Sequence, residues 1–188
     1  MLNFRDDPTA FRAFITTHQH RVYNLVLKMV PHVQDAEEIT QDVFVDVFRK
    51  PDAFRGDAAI TTWLYRIAMN KCIDHLRRQQ RKKRHILSAF FAPGTGDAPA
   101  EPSHAMHPGV VTEQRKQLTI LFKALNRLPH NQHMAWVLVE MEDLPYKEIS
   151  EVMRVSVSSV ESLLFRARKN LKKILSNMYP TNQNHYHE

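Results

Sequence analysis

Three sets of side chains in this sequence have the types and spacing to do chemistry, and in each the chemistry is charge and hydrogen bonding to a polymer. The first lies in "SVSSVESLLFRARKNL", residues 156 to 171. Wound at about 100° per residue, Val157, Val160, Leu164, Ala167 and Leu171 share one narrow stripe, and Ser158, Ser162, Phe165, Arg166 and Lys169 gather opposite it. Short serines let a helix approach base edges closely. A phenylalanine can press on a thymine methyl, and an arginine can pair with a guanine or a phosphate. The plainer alternative packs Phe165 on the preceding helix and leaves the lysines as a solvated face.

The second set is acidic. Asp35, Glu38, Asp42 and Asp46 are spaced three, four and four apart, which aligns them on one line of a helix. Like charges at that spacing cost a helix about 0.2 to 0.5 kcal/mol per pair. No lysine or arginine stands between Asp35 and Asp46, and the helix dipole helps only the first turn. Three explanations remain open: a basic partner outside the chain, a solubilising surface, or neutralisation by the basic helix that follows. Charge excludes DNA as the outside partner of this face, so such a partner is a protein.

The third set joins Arg66, Asn70, Arg77, Arg81 and Arg84 within an arc of about 60°, with Trp63 at its edge. A closed duplex asks only for positive charge, whereas unstacked bases ask for an aromatic platform and groups that bond their exposed edges. Trp63 and Asn70 among arginines therefore suit a separated strand, and "RRQQRKKR" at 77 to 84 adds phosphate contacts. The competing role for Trp63 is structural, against Phe54 and the loop.

No group of residues suggests catalysis. A Gly-rich phosphate loop, an H-E-x-x-H pair and a nucleophile motif are all missing, so neither an enzyme nor a cofactor is expected. Of the eleven histidines, His130 with His133 and His185 with His187 are near neighbours, but neither pair has two further evident ligands. They are expected at the surface, with no metal. His18, on the apolar stripe of the first helix, is expected to be partly buried.

These sets need helices to hold them. Apolar residues recur helically from Phe11 through Ile15, Val22, Leu25 and Met29, with Asp7 or Thr9 available as a cap, until Pro31 intervenes. A second helix is expected from Asp35 to about Lys50, burying Ala36, Ile39, Val43 and Val47. A third runs from about Ala58 to Arg84 after the loop "FRGDAA". From Ile86 to Val111 the pattern gives way to prolines 93, 99, 102 and 108 and glycines 94, 96 and 109, the mark of a flexible linker. Helical spacing resumes at Leu118, breaks at Pro129, and continues through Met141. Then "YKEISEVM", the turn "RVS" and the helix from 156 to 177 have helix-turn-helix spacing, with Ile149 and Val152 packing on Val157 and Val160. Either Ser156 or Ser158 with Glu161 can cap the second helix.

The 188-residue chain is thus expected to be all-α. Its two small helical domains span 1–86 and 113–178, joined by a linker at 87–112 and followed by a tail at 179–188. A formal charge of +6 favours an acidic partner, nucleic acid first. One cysteine, Cys72, excludes internal disulfides. The amino-terminal residues contain no apolar run long enough for a signal or spanning helix, so a cytoplasmic protein without membrane insertion is expected.

Three stretches together, "DAEEITQDVFVDVF", "FRGDAAITTWLYRIAMNKCIDHLRR" and "LPHNQHMAWVLVEMEDLPYKEISEVMRVSVSSVESLLFRARKNL", resemble the bacterial extracytoplasmic-function sigma factors, the two-domain initiation subunits of RNA polymerase. The resemblance implies that Asp35, Glu38, Gln41, Asp42 and Asp46 dock on the coiled-coil clamp helices of core polymerase. It implies that Phe54, Arg55, Asp57, Trp63, Arg66, Asn70, Arg77, Arg78 and Arg81 melt and hold the promoter's −10 element. By the same token Ser158, Ser159, Ser162, Phe165, Arg166 and Lys169 read the −35 duplex, and an anti-sigma protein is a further expected partner. The chain departs from the family's pattern at Arg154, where a glycine or asparagine is frequent, at Pro145, where a capping serine is common, and at Glu161, often basic. A helix-turn-helix activator that binds duplex operators is the rival reading, and the acidic stripe and Trp63 argue against it.

Overall fold

In a computed structural model, the structure describes residues 4, 7–54, 56, 59–90 and 113–178, without the side chains of 83–90 and 113–115. The described chain contains seven α-helices and one 3-10 turn, with no strand among the described residues. It divides into two compact units, Met1–His107 and Pro108–Glu188.

The first unit packs α1 (Pro8–Met29), α2 (Val33–Arg49) and α3 (Ile60–Phe90) against one another. Asp7 settles the start of α1: its Oδ1 accepts from the backbone N–H groups of Thr9 and Ala10, each at 3.0 Å, and Pro8 fills the first turn. The core takes Val22, Leu25, Val26 and Met29 from α1, Ala36, Ile39, Val43 and Val47 from α2, and Leu64, Tyr65, Ala68, Met69 and Cys72 from α3. Burial pushes the Cys72 thiol up to about 12, so it is an inert packing group. Arg21 Nε donates to Tyr65 Oη at 2.8 Å, tying α1 to α3. The 3-10 turn Pro51–Ala53 follows α2, and Gly56, at φ 78°, supplies a left-handed turn in the loop before α3.

In the second unit α4 (Glu113–Leu125), α5 (His130–Glu140) and α6 (Tyr146–Met153) all pack on α7 (Val157–Met178). Ala124, Leu125, Leu128, Ala167 and Leu171 form one buried cluster, while Ile149, Val152, Val160 and Leu164 close the contact between the last two helices.

Several boundaries differ from expectation. The third helix continues past Arg84 to Phe90, because "RHILSAF" contains no proline or glycine to stop it. Residues 91–112 and the tail from 179 lie outside the described residues, as do His185 and His187. α4 starts at Glu113, ahead of the first apolar repeat. Val157, expected on the buried stripe, is 40% exposed because it begins α7, before the stripe reaches α6. His133 is not at the surface: α5 is buried over most of its length, and His133 is 1% exposed with His130 half-buried. No group of three metal-ligating residues exists among the described residues, and no helix among them is long and apolar enough to cross a membrane.

Candidate nucleic-acid interface and acidic docking face

The turn between α6 and α7 sets the aim of the serine-rich face. Pro145 precedes α6 without a side-chain cap bond, and Arg154 ends it at φ 55°, ψ 46°, the left-handed conformation that the frequent glycine would adopt without strain. Val155 N then donates to Ser150 O at 3.1 Å. Ser156 is the cap of α7: its Oγ accepts from Ser159 N at 3.2 Å and lies 2.8 Å from Ser159 Oγ and 3.0 Å from Ser158 Oγ. The box of Ser158 with Glu161 is therefore not the one used.

With the stripe of Val160, Leu164, Ala167 and Leu171 buried, the opposite side of α7 faces water. Ser158, Glu161, Ser162, Arg166 and Lys169 are exposed and Ser159 is half-buried. Phe165 is 71% exposed, so it does not pack on the preceding helix. Arg166 Nε donates to Ser162 O at 3.0 Å, a local bond that holds the stem along the helix. Arg168, two residues further on and turned away, donates to Glu140 Oε1 on α5 at 3.0 Å, and Asn170 Nδ2 donates to Gln132 Oε1 at 2.9 Å. Sequence pattern had not singled out these two, which lock α7 onto α5.

Along α3, Asn70, Arg77, Arg78 and Arg81 are exposed and Arg66 is half-buried, forming a basic arc. Trp63 is separated from that arc by burial: it is 4% exposed, its ring 5.3 Å from that of Phe54. The structure thus realises the packing role for Trp63, with Phe54 as its cover. Arg55 and Asp57 lie outside the described residues, and of Arg84 only the helical backbone is described.

The acidic stripe has partners within the fold. Lys71 Nζ lies 2.8 Å from Asp46 Oδ2 and 3.8 Å from Asp42 Oδ2. His75 Nε2 lies 3.2 Å from Asp35 Oδ2, and Gln79 Nε2 donates to the same oxygen at 3.0 Å while standing 2.8 Å from His75 Nε2. Lys71, His75 and Gln79 succeed one another every four residues, one turn of α3 each, so their shared face was legible in the sequence, whereas which carboxylate each one meets was not. Lys71 therefore brings a positive charge to Asp42 and Asp46, while His75 and Gln79 hold Asp35 by hydrogen bonding. Glu38 and Gln41 remain exposed on the outer face of α2. Beside them Val45 and Phe48 are exposed, and Phe11, Ile15, Phe44 and Phe48 line an apolar groove of about 370 Å³ between α1 and α2.

Two family models match the chain: Sigma-70 region 2 over residues 14–82 and Sigma-70, region 4 over residues 118–171. The ECF RNA polymerase sigma-E factor of Escherichia coli (strain K12) is 33% identical over 171 residues, covering 88% of this chain and 86% of that protein. The RNA polymerase sigma-H factor of Pseudomonas aeruginosa is 31% identical over 182 residues, covering 91% and 89%. Among solved structures, the sigma factor RpoE bound to the anti-sigma factor NepR from Bartonella quintana superposes with a TM-score of 0.59 at 19% identity, covering 88% of this chain and 96% of that one. CnrH, in complex with the cytosolic domain of CnrY, gives 0.61 at 20% identity, covering 91% and 90%. The solved structures share the fold, and the sequence relatives, alike over nearly their whole length, show the kinship: the chain belongs to the extracytoplasmic-function sigma factors of RNA polymerase.

Proposed function

We propose that this sigma factor binds core RNA polymerase through the outer face of α2, captures the −10 strand along α3, and reads the −35 duplex with α7. In this reading residues 1–86 form the polymerase- and −10-binding domain, residues 87–112 the linker, and 113–178 the −35-binding domain. The observation that carries it is Phe165: an uncovered aromatic ring flanked by Ser158, Ser162, Arg166 and Lys169 on the second helix of a helix-turn-helix supports a major-groove contact by this face. Ser159, half-buried beside the cap, contributes its hydroxyl at the edge of that face.

Sigma factors are regulatory DNA-binding subunits and not enzymes, so polymerase supplies the chemistry. On α3, Asn70 and Arg66 meet exposed bases and Arg77, Arg78 and Arg81 meet phosphates. Trp63 and Phe54 act beneath them as a packed floor, and the loop with Arg55 and Asp57 takes the flipped base. On α2, Asp35, Glu38, Gln41, Asp42 and Asp46 meet polar and basic side chains of the partner while Val45 and Phe48 supply apolar area. The RpoE and CnrH structures, each of a complex with a second protein, support an anti-sigma protein as a further partner of this chain.

Run-off transcription tests the assignment directly. Bacterial core RNA polymerase supplemented with the full chain is expected to initiate from a sparse subset of a promoter library sharing a −35 and a −10 motif. Initiation no different from that of core enzyme alone would refute it.

A further inference from the structure

The acidic face carries its own cation. Lys71 reaches Asp42 and Asp46 from the α3 side, and its side chain is 22% exposed against 56% for Asp42 and 44% for Asp46. Both contacts use Oδ2 of the carboxylate, on a pair open enough to water to be exchangeable, unlike a buried ion pair. Asp35 differs: at 25% exposure it is held by both His75 and Gln79, inside the seam between α2 and α3. Glu38 has no ion pair among the described residues.

An external cation arriving at Asp42 or Asp46 therefore meets carboxylates already partly neutralised. We propose that Lys71 is a built-in competitor for this face, occupying Asp42 and Asp46 in place of a partner's basic side chain and so lowering the chain's affinity for core polymerase. The inference rests on the reading of α2 as the polymerase-docking helix. Without Lys71 the local charge is one unit more negative, which deepens the attraction for a basic partner. In the free chain the same lysine offsets repulsion between Asp42 and Asp46 one turn apart, which accounts for its presence. Asp35 becomes a structural member of the stripe, and the partner's share narrows to Glu38, Gln41, Asp42 and Asp46.

The test titrates full-length Lys71→Gln against bacterial core RNA polymerase at low and high salt. Lys71→Met, which keeps the aliphatic stem, serves as a second variant, and Asp42→Arg as the control. Both lysine variants are expected to bind about two- to fivefold more tightly than the parent, the range of an exposed ion pair, with the gap closing at high salt. Equal or weaker binding by folded variants overturns the competitor role, and failure of both to fold does so too, since an exchangeable pair cannot be essential. Loss of binding in Asp42→Arg without tightening in the lysine variants leaves the docking face standing and removes only the competitor. If Asp42→Arg binds as the parent does, the docking reading itself falls.

Discussion

Arg154 holds a backbone conformation that costs a residue with a Cβ about 1 to 2 kcal/mol relative to its right-handed alternatives. Glycine removes that strain but gains freedom in the unfolded chain. Arg154→Gly is therefore expected to stabilise the protein by about 0.5 to 1 kcal/mol, read as a higher denaturant midpoint at unchanged slope. His18 is a second local case. Burial first, and then the nearby Arg21 guanidinium, hold its imidazole below the ordinary value of 6.5, with the ring 4.6 Å from that of Phe14. The folded state thus favours the neutral ring, and the unfolded chain binds the extra proton. Stability is complete above 6.5 and is lost as pH falls from there through the lowered folded value. Between about pH 7.5 and about pH 5.5, the melting temperature of His18→Gln is expected to fall less than the parent's, and an equal or larger fall would dismiss His18 as a source of acid sensitivity. The partial burial of His18 was legible from its place on an apolar stripe. The burial of His133 was not, because α5 is enclosed on more sides than one amphipathic face suggests.

At the scale of elements, periodicity located the helices well and their contacts poorly. The stripe of Val160, Leu164, Ala167 and Leu171 could be read from spacing alone because one face of a helix repeats locally. The pairing of Asp35 with His75 and Gln79, and of Asp46 with Lys71, joins residues 25 to 44 positions apart, and only the antiparallel register of α2 on α3 reveals it. Trp63 shows the same limit. It sits at the edge of the basic arc by angle, yet α3 begins beneath Phe54, which covers it. That cover separates two otherwise similar truncations. Trp63→Ala removes a fully packed ring and is expected to cost about 3 to 5 kcal/mol. Phe165→Ala removes an exposed one and is expected to change stability by no more than about 0.5 kcal/mol. Equilibrium unfolding of both variants checks the pair, and a large loss for Phe165→Ala would mean that the ring is part of the core after all.

For the whole molecule, the separation of tasks has a measurable signature. Negative charge lies on the outer face of α2, whereas the exposed aromatic, serine and basic residues of α7 belong to the other compact unit. If the two faces serve different macromolecules, each can be lost alone. Asp42→Arg reverses a charge that is more than half exposed, so it is expected to abolish association with core polymerase while the full chain keeps its affinity for a −35 duplex. Arg166→Ala is expected to do the opposite, retaining polymerase binding and losing about 1 to 3 kcal/mol on the preferred duplex. Fluorescence anisotropy on matched and scrambled duplexes, at one fixed salt concentration, separates the roles of Arg166. A loss confined to the matched sequence places its guanidinium on a base edge, and an equal loss on both places it on a phosphate. Should Asp42→Arg weaken duplex binding as much as polymerase binding, the two faces would not be independent, and the division between α2 and α7 would have to be redrawn.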